Sequence, residues 1–282
     1  VKIKEILSRA YDILKEEQID TYMLDAQLLL CKVLNKDKLF LIMNRDLEID
    51  SHAEEEFFKY IDMRKKKMPV KYILGECEFM GMNFFVREGV LIPRPDTEIL
   101  VEKVLEIINE NKLKNVLDIC CGSGAIGVSI ANIVKDTQVI CSDISDIAKL
   151  VTVENIKKFA LEQRVNFIQS DLLEFATERE YKFDIIVSNP PYIEEHVIPT
   201  LMEDVKNYEP YIALCGGKDG LNFYRKIVEE GKKVLTKHGI VAFEIGYNQR
   251  EAVKEIFENN GFEKVLCFKD LSGHDRVVIG KI

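Results

Sequence analysis

The chain reads as an α/β protein, a mostly parallel, doubly wound sheet preceded by a small helical bundle. Two observations predict this. From Asp96 onward, apolar runs of strand length alternate with runs of helix length, the pattern of βα units laid into one sheet with helices on both faces. Before about residue 75 the apolar residues recur instead at three- and four-residue spacing, and Gly and Pro are scarce before Pro69.

Ile3, Ile6, Leu7, Ala10, Ile13 and Leu14 fall on one face of a first helix. A second apolar stretch, Met23 to Leu34, is led by Asp20 and Thr21, residues suited to cap a helix N-terminus. Phe57, Phe58 and Ile61 form a third stripe after the start signal Asp50-Ser51. The segment Phe79-Met80-Gly81-Met82-Asn83-Phe84-Phe85-Val86, aromatic with a central glycine, reads as a hairpin. Leu91-Ile92-Pro93-Arg94-Pro95 is extended, because a residue before proline is pushed out of the helical region. The expected division is a helical bundle over 1–75, a hairpin and connector over 76–95, and a sheet domain over 96–282. Strands are predicted at 115–119, 138–141, 166–168, 184–187, 239–244, 263–268 and 276–279, with helices near 97–111, 125–134, 146–161, 220–236 and 248–260. The last two strands lie close in sequence and predict an antiparallel edge pair.

Composition narrows the function classes. No apolar run is long enough to span a bilayer and the N-terminus has no signal-peptide core, which predicts a cytoplasmic protein with no membrane partner. The seven cysteines have no C-x-x-C pair, so neither a zinc site nor a redox motif is indicated, and the four histidines are scattered; no metal is expected. A net charge of −9 disfavours direct binding of duplex nucleic acid, whose affinity comes from cations neutralising phosphates.

The chemistry is carried by two motifs. In Gly122-Ser123-Gly124-Ala125-Ile126-Gly127 a glycine-rich turn follows a predicted strand and opens a predicted helix, and Asp143 lies about 20 residues further on, where a ribose-binding carboxylate belongs. This turn alone suits NAD as well as S-adenosylmethionine. Asp118, at the strand end, favours the second: it can meet a methionyl ammonium and would repel a pyrophosphate. Ser170-Asp171-Leu172 follows the third strand, on the same side of the sheet. Asp171 is read either as an acceptor for an adenine amino group, with Leu172 beside the ring, or as a helix N-cap.

The second motif is Asn189-Pro190-Pro191-Tyr192, directly after the strand-like Phe183–Ser188. An amide or aromatic amine nitrogen is a weak nucleophile because its lone pair is delocalised. Acceptors on both of its hydrogens favour localisation of that pair. Asn189 supplies one through its side-chain oxygen and Pro190 a second through its carbonyl, while two prolines fix φ and remove two donors. Tyr192 offers a flat face to a planar amide or base. With no general base in sight, catalysis would be positioning, the nitrogen held about 3 Å from a sulfonium methyl. A strand-ending loop with Tyr192 packed for stability is the plainer alternative.

With these motifs in place the chain resembles the protein-(glutamine-N5) methyltransferases that modify peptide chain release factors, the HemK/PrmC family. The resemblance also rests on Pro69–Gly75, Val90-Leu91-Ile92-Pro93-Arg94-Pro95-Asp96-Thr97-Glu98, Tyr208-Glu209-Pro210, Gly216–Leu221 and Phe243–Gly246. It implies a class I (Rossmann-like) methyltransferase domain, an N-terminal bundle that recognises the substrate protein, and a connecting β-hairpin. The implied reaction is methylation of the glutamine in the Gly-Gly-Gln motif of release factors with S-adenosylmethionine. Asn189, Pro190, Pro191 and Tyr192 carry over as the glutamine site, with Asn189, Pro190 and Tyr192 catalytic. The stretch Cys120, Cys121, Gly122, Ser123 and Gly124, with Asp143, Leu172 and Asn189, carries over as the cofactor site, beside Asp118 and Asp171. Cys120 replaces the first glycine of the family's G-x-G-x-G form, which calls for an ordinary negative φ there. Leu172 stands where some relatives place an aromatic, which would weaken adenine stacking. A nucleic-acid adenine N6 methyltransferase is the competing reading, since the tetrapeptide logic serves an adenine amino group equally.

Three features stay open at this level. Arg64-Lys65-Lys66-Lys67 reads as a solvated helix end or as a contact for an acidic partner. Arg94 either orients substrate or holds the hairpin, and Glu244-Ile245-Gly246 ends a strand at the pocket rim with no evident chemistry.

Overall fold

A computed structural model describes all 282 residues. The chain forms two compact units, Val1–Glu76 with Glu203–Tyr208, and Cys77–Met202 with Glu209–Ile282.

The first unit is helical: α1 (Ile3–Glu16), α2 (Tyr22–Leu34), α3 (Lys38–Met43), α4 (Ser51–Lys65) and α5 (Val70–Leu74), plus the later helix Glu203–Tyr208. The predicted stripe of α1 is buried at Ile3, Ile6, Leu7, Ala10 and Leu14, against Leu29 and Leu30 of α2 and Phe57 and Ile61 of α4. Asp50 caps α4 by accepting from the Ala53 amide at 2.8 Å. Thr21 occupies the N-cap of α2 but its hydroxyl goes to Asp25 Oδ2 instead. The basic run after α4 is less solvated than its sequence suggests. Arg64 is buried and pairs with buried Asp25 at 2.7 Å, and Lys67 donates to the Glu17 carbonyl. Lys65 and Lys66 are exposed.

The second unit begins with a hairpin, β1 (Glu76–Phe79) and β2 (Met82–Phe85), turned at Met80-Gly81 with positive φ at both residues, as a two-residue hairpin turn requires. Expected as a connector, this segment groups with the sheet unit. Phe79 and Phe84 are buried in its core, and Phe84 meets Phe159 at 5.1 Å between ring centroids.

The remaining strands are β3 (Asn115–Ile119), β4 (Gln138–Asp143), β5 (Val165–Gln169), β6 (Phe183–Ser188), β7 (Leu235–Glu244), β8 (Lys264–Lys269) and β9 (Asp275–Lys281). They form one sheet of order β5-β4-β3-β6-β7-β9-β8, in which β5 to β7 run parallel and β9 pairs antiparallel with both β7 and β8. All seven predicted strands are present. β7 starts four residues early because Leu235 pairs with Phe183 before a register shift. The helices are α6 (Glu98–Asn111), α7 (Ala125–Ile133), α8 (Asp146–Lys158), α9 (Glu174–Glu178), α10 (the Glu203–Tyr208 helix above), α11 (Tyr211–Leu214), α12 (Asn222–Val234) and α13 (Arg250–Asn259). Side chains alternate across the sheet. Val116, Ile185, Val187 and Ala242 join α6, α7 and α8 in one core, while Leu117, Ile186, Val241 and Phe243 join α9, α12 and α13 in the other. Short α3, α5, α10 and α11 escape prediction as separate helices because four to six residues carry too little periodicity, whereas α9 is the helix for which Asp171 was read as a possible cap.

Candidate active site

β3 is hydrogen-bonded to β4 on one side and β6 on the other, so the strand order reverses at β3. In open α/β sheets a crevice for ligand opens at that switch, beyond the carboxyl ends of the strands. Here lies a cavity of about 270 Å³. Its walls come from Ile119, Cys120 and Gly122 after β3, Ser142 to Ser145 at β4, Ser170 to Leu172 after β5, and Asn189 and Pro191 after β6. Gly89 to Leu91 and Ala148 close one flank; Pro210, Ile212, Ala213, Phe223 and Lys226 close the other. Arg94 ties these flanks together. Its guanidinium pairs with the buried Glu209 carboxylate, which also accepts the Ile92 amide at 3.2 Å.

The glycine-rich turn is shaped by backbone contacts. Gly124 begins α7 with φ +77, and a Cβ there would sit 2.8 Å from Thr152 Cγ2. At Gly127 a Cβ would sit 2.7 Å from Cys141 Sγ and 3.1 Å from Asp118, so the glycine lets α7 lie against the strands. Cys120 does not adopt the ordinary negative φ expected of it. It sits at φ +56, a left-handed conformation unfavourable for an L residue. This is the conformation that glycine adopts without strain, so the cysteine stands where the backbone favours a glycine. Leu172 is also left-handed, at φ +45, and lines the cavity while buried.

Asn155 of α8 secures the turn from behind. Its Nδ2 donates to the Ser123 carbonyl at 2.9 Å and the Phe85 carbonyl at 3.0 Å, and its Oδ1 accepts from the Phe85 amide at 2.7 Å. Thr152 donates to the Gly122 carbonyl at 3.0 Å. Cys121, Ser123 and Gly124 are thus buried framework and do not line the cavity, whereas Cys120 and Gly122 do. Burial pushes the Cys120 and Cys121 thiols well up, so neither is a thiolate nucleophile at neutral pH.

The two acidic groups of this wall differ. Asp143 lines the cavity, accepting from the Gly122 amide at 3.0 Å and the Ser145 amide at 3.0 Å; burial raises its pKa and those amides oppose the rise. Asp118, also expected at the cofactor, is fully buried at the end of β3 and does not line the cavity. Its Oδ2 accepts from the Gly127 amide at 2.8 Å, while Oδ1 has no hydrogen-bond partner. Burial, the largest cause, lifts its pKa to about 8, with the Asp143 charge adding to the rise. Asp171 is exposed on the cavity rim. The helix-start acceptor beside it is Ser170 Oγ, which takes the Phe175 amide at 3.2 Å, so Asp171 is left for the cavity.

Asn189 and Pro191 reach the cavity; Pro190 and Tyr192 do not line it. The Tyr192 hydroxyl donates to Glu244 Oε1 at 3.1 Å, and its ring packs at the edge of the core on that side of the sheet. Its hydroxyl is thus committed to Glu244, and the half-buried ring lies off the cavity lining. Burial and the neighbouring Glu244 both raise the Tyr192 pKa. Glu244 is 1% exposed, and its Oε2 accepts a short hydrogen bond from Thr97 Oγ1. Thr97 Oγ1 in turn accepts from Asn189 Nδ2 at 3.4 Å. Thr97 is the residue that sequence reasoning left without a role of its own, and Glu244, expected at the pocket rim with no evident chemistry, is instead buried behind it. Both lay in quoted segments, but a sequence gives no sign that positions 147 residues apart are hydrogen-bonded.

Residues 5–75 match a family profile described as the PrmC N-terminal domain, and residues 95–205 match one described as the methyltransferase small domain. The release factor glutamine methyltransferase of Clostridium botulinum is 54% identical over 276 residues, 98% of each chain. That of Clostridium acetobutylicum is 55% identical over 279 residues, 99% of this chain and 98% of the relative. A solved methyltransferase from Pyrococcus furiosus shares the fold, with a TM-score of 0.51 at 20% identity over 72% of this chain and 90% of that one. With relatives this similar over nearly their whole length, and a methyltransferase sheet opening at its switch point, the chain is an enzyme that belongs to the release factor glutamine methyltransferase family.

Proposed function

We propose that the protein transfers a methyl group from S-adenosylmethionine to the side-chain amide nitrogen, N5, of the glutamine in the Gly-Gly-Gln motif of peptide chain release factors, in the cytoplasm. The observation that carries this reading is the orientation of Asn189. Its NH2 end is taken up by Thr97, and its Oδ1, bonded to no protein donor, is left as an acceptor at the cavity. An acceptor at that point suits a primary amide NH2.

The cavity residues fit the cofactor. Behind the lining, Asp118 Oδ1 is a buried oxygen without a hydrogen-bond partner, a group that an ammonium reaching it would draw into its ionised form. Asp143 has an acceptor lone pair to spare on each oxygen for ribose hydroxyls, and Asp171 and Leu172 supply an acceptor and an apolar face for a base. Bound there, S-adenosylmethionine supplies an electrophilic methyl on a cationic sulfur. Asn189 Oδ1 accepts from the amide NH2 and orients its lone pair, and Pro190, which is off the cavity lining, holds the backbone that carries it. Tyr192 contributes by fixing the corner through Glu244. As the N–CH3 bond would form, the S–CH3 bond would break and its electron pair return to sulfur, which leaves as a neutral thioether; no residue need act as a base, because the methylated nitrogen is cationic and strongly acidic and loses its proton to water. The helical unit, matched by the PrmC N-terminal profile, is assigned to recognition of the release factor.

The test is methyl transfer from labelled S-adenosylmethionine to a purified release factor, with a Gln→Ala control in its Gly-Gly-Gln motif, read by peptide mass spectrometry. One added methyl on that glutamine, absent in the control, is expected. Transfer to adenine in DNA or RNA and none to the release factor would replace this reading.

A further inference from the structure

Glu244 is a charge in an expensive place. The carboxylate is 1% exposed, and it is compensated by two hydroxyl donors, Thr97 on Oε2 and Tyr192 on Oε1, with Arg276 nearby. Burial raises the Glu244 pKa, and the Thr97 hydroxyl, Arg276 and the Tyr192 hydroxyl oppose that rise; ionised, the carboxylate only accepts, and both hydroxyl protons then point at it. The direction of the Thr97 proton has a consequence one bond further on. With its hydrogen committed, Thr97 Oγ1 presents only lone pairs to Asn189, and the end of a primary amide that can meet a lone pair is its NH2. A side-chain amide is nearly symmetric in shape, so packing alone does not distinguish its two orientations.

The adjoining bonds hold the frame in which this choice is made. Ser188 Oγ donates to the Ile119 carbonyl at 2.6 Å, fixing the end of β6 against β3. Gln249 Nε2 donates to the Tyr192 carbonyl at 2.9 Å, fixing the far side of the two prolines, and Tyr224 donates to the Glu244 carbonyl at 2.9 Å.

We infer that Glu244 and Thr97 are positioning residues that set the polarity of Asn189: the buried carboxylate orients the Thr97 hydroxyl, which holds the Asn189 NH2 away from the cavity and so presents Oδ1 to the substrate amide. This rests on the reading of Asn189 as the acceptor for the methylated nitrogen. Glu244→Gln would reverse the relay. A Gln NH2 donates to Thr97, frees the Thr97 proton to donate to Asn189, and brings Asn189 Oδ1 round to Thr97, leaving an NH2 facing the substrate NH2.

The test measures turnover of a purified release factor by four variants, Thr97→Val, Thr97→Ser, Glu244→Gln and Asn189→Ala, and by the double variant Thr97→Val/Asn189→Ala. Each is checked for S-adenosylmethionine affinity by calorimetry and for fold by circular dichroism. Thr97→Val keeps shape and loses the hydroxyl; it is expected to lower kcat roughly tenfold, the scale of one lost hydrogen bond, with both KM values within about twofold. Thr97→Ser is expected to restore kcat, and Glu244→Gln to fall at least as far as Thr97→Val. Because the relay acts through Asn189, Thr97→Val should cost nothing further in the Asn189→Ala background. The Asn189 side-chain NH2 resonances in a ¹⁵N spectrum should shift in Thr97→Val and return in Thr97→Ser. Full turnover in folded Thr97→Val and Glu244→Gln beside an inactive Asn189→Ala would overturn the relay and leave the Asn189 reading standing. Losses that add in the double variant would also overturn it. Full turnover in Asn189→Ala would remove the reading beneath it.

Discussion

The two walls of the cavity are held in different ways. On the side of β3, β4 and β5, backbone conformation does the shaping: Cys120 and Leu172 are left-handed, Gly124 and Gly127 admit close neighbours, and amides point at Asp118 and Asp143. On the side of β6 and β7, side chains distant in sequence do it: Asn189 reaches Thr97, and Thr97 and Tyr192 converge on Glu244. A wall made of backbone binds a ligand's fixed polar groups with little freedom to adjust. One made of hydroxyls and a buried carboxylate fixes which atom of an amide faces in. The first kind of wall suits recognition of a cofactor, and the second suits aiming a weak nucleophile.

Substitutions on each side should separate these roles. The largest effect is expected from Asn189→Ala: turnover falls by about 100-fold, the scale of a misplaced reacting group, while calorimetric affinity for S-adenosylmethionine stays. An equal loss of affinity would move Asn189 to the cofactor side. Asp143→Ala should do the reverse, weakening cofactor binding by roughly 1–3 kcal/mol for a lost charged acceptor, and unchanged affinity would take Asp143 out of the ribose site. Gly127→Ala should lower stability by about 1–3 kcal/mol in thermal or urea unfolding, because its Cβ would overlap Cys141 Sγ and Asp118. Unaltered unfolding would mean that α7 shifts freely.

Asp118 gives the comparison a pH dependence. Its folded pKa is raised, from 3.8 to about 8, so between those values the folded protein carries a proton that the unfolded chain has lost. This group's contribution to stability therefore declines as pH rises through that window. An ammonium reaching Asp118 favours the carboxylate, so cofactor binding should release a proton and tighten as pH rises toward about 8. Calorimetry in buffers of different ionisation enthalpy measures that proton, and Asp118→Asn should abolish its release. The smallest effect belongs to Cys120→Gly. Relief of a left-handed residue, about 1–2 kcal/mol, is offset by the greater freedom of glycine in the unfolded chain, about 0.5–1 kcal/mol. Stability should change by less than about 1 kcal/mol in denaturant unfolding, and a larger loss would show that the Cys120 side chain packs against something essential.

The strand-and-helix alternation after Asp96 and the helical stripes before it were legible from spacing alone, because apolar periodicity is a local property of the chain. So were the glycine-rich turn, the carboxylate of Asp143 and the tetrapeptide, since each is a short run whose chemistry resides in neighbouring residues. The left-handed φ of Cys120 was not legible, because a non-glycine side chain signals the opposite preference and the surrounding framework overrides it. Nor was the fate of Arg64, which looks solvated within its basic run until Asp25 of another helix is brought against it. The turn of Tyr192 away from the cavity, and the convergence of Thr97 and Glu244 behind Asn189, depend on three segments meeting at the ends of β6 and β7. Which residues are available for chemistry follows from local sequence. Which of their atoms face the cavity follows from hydrogen bonds closed across the sheet, with partners that are not neighbours in the chain.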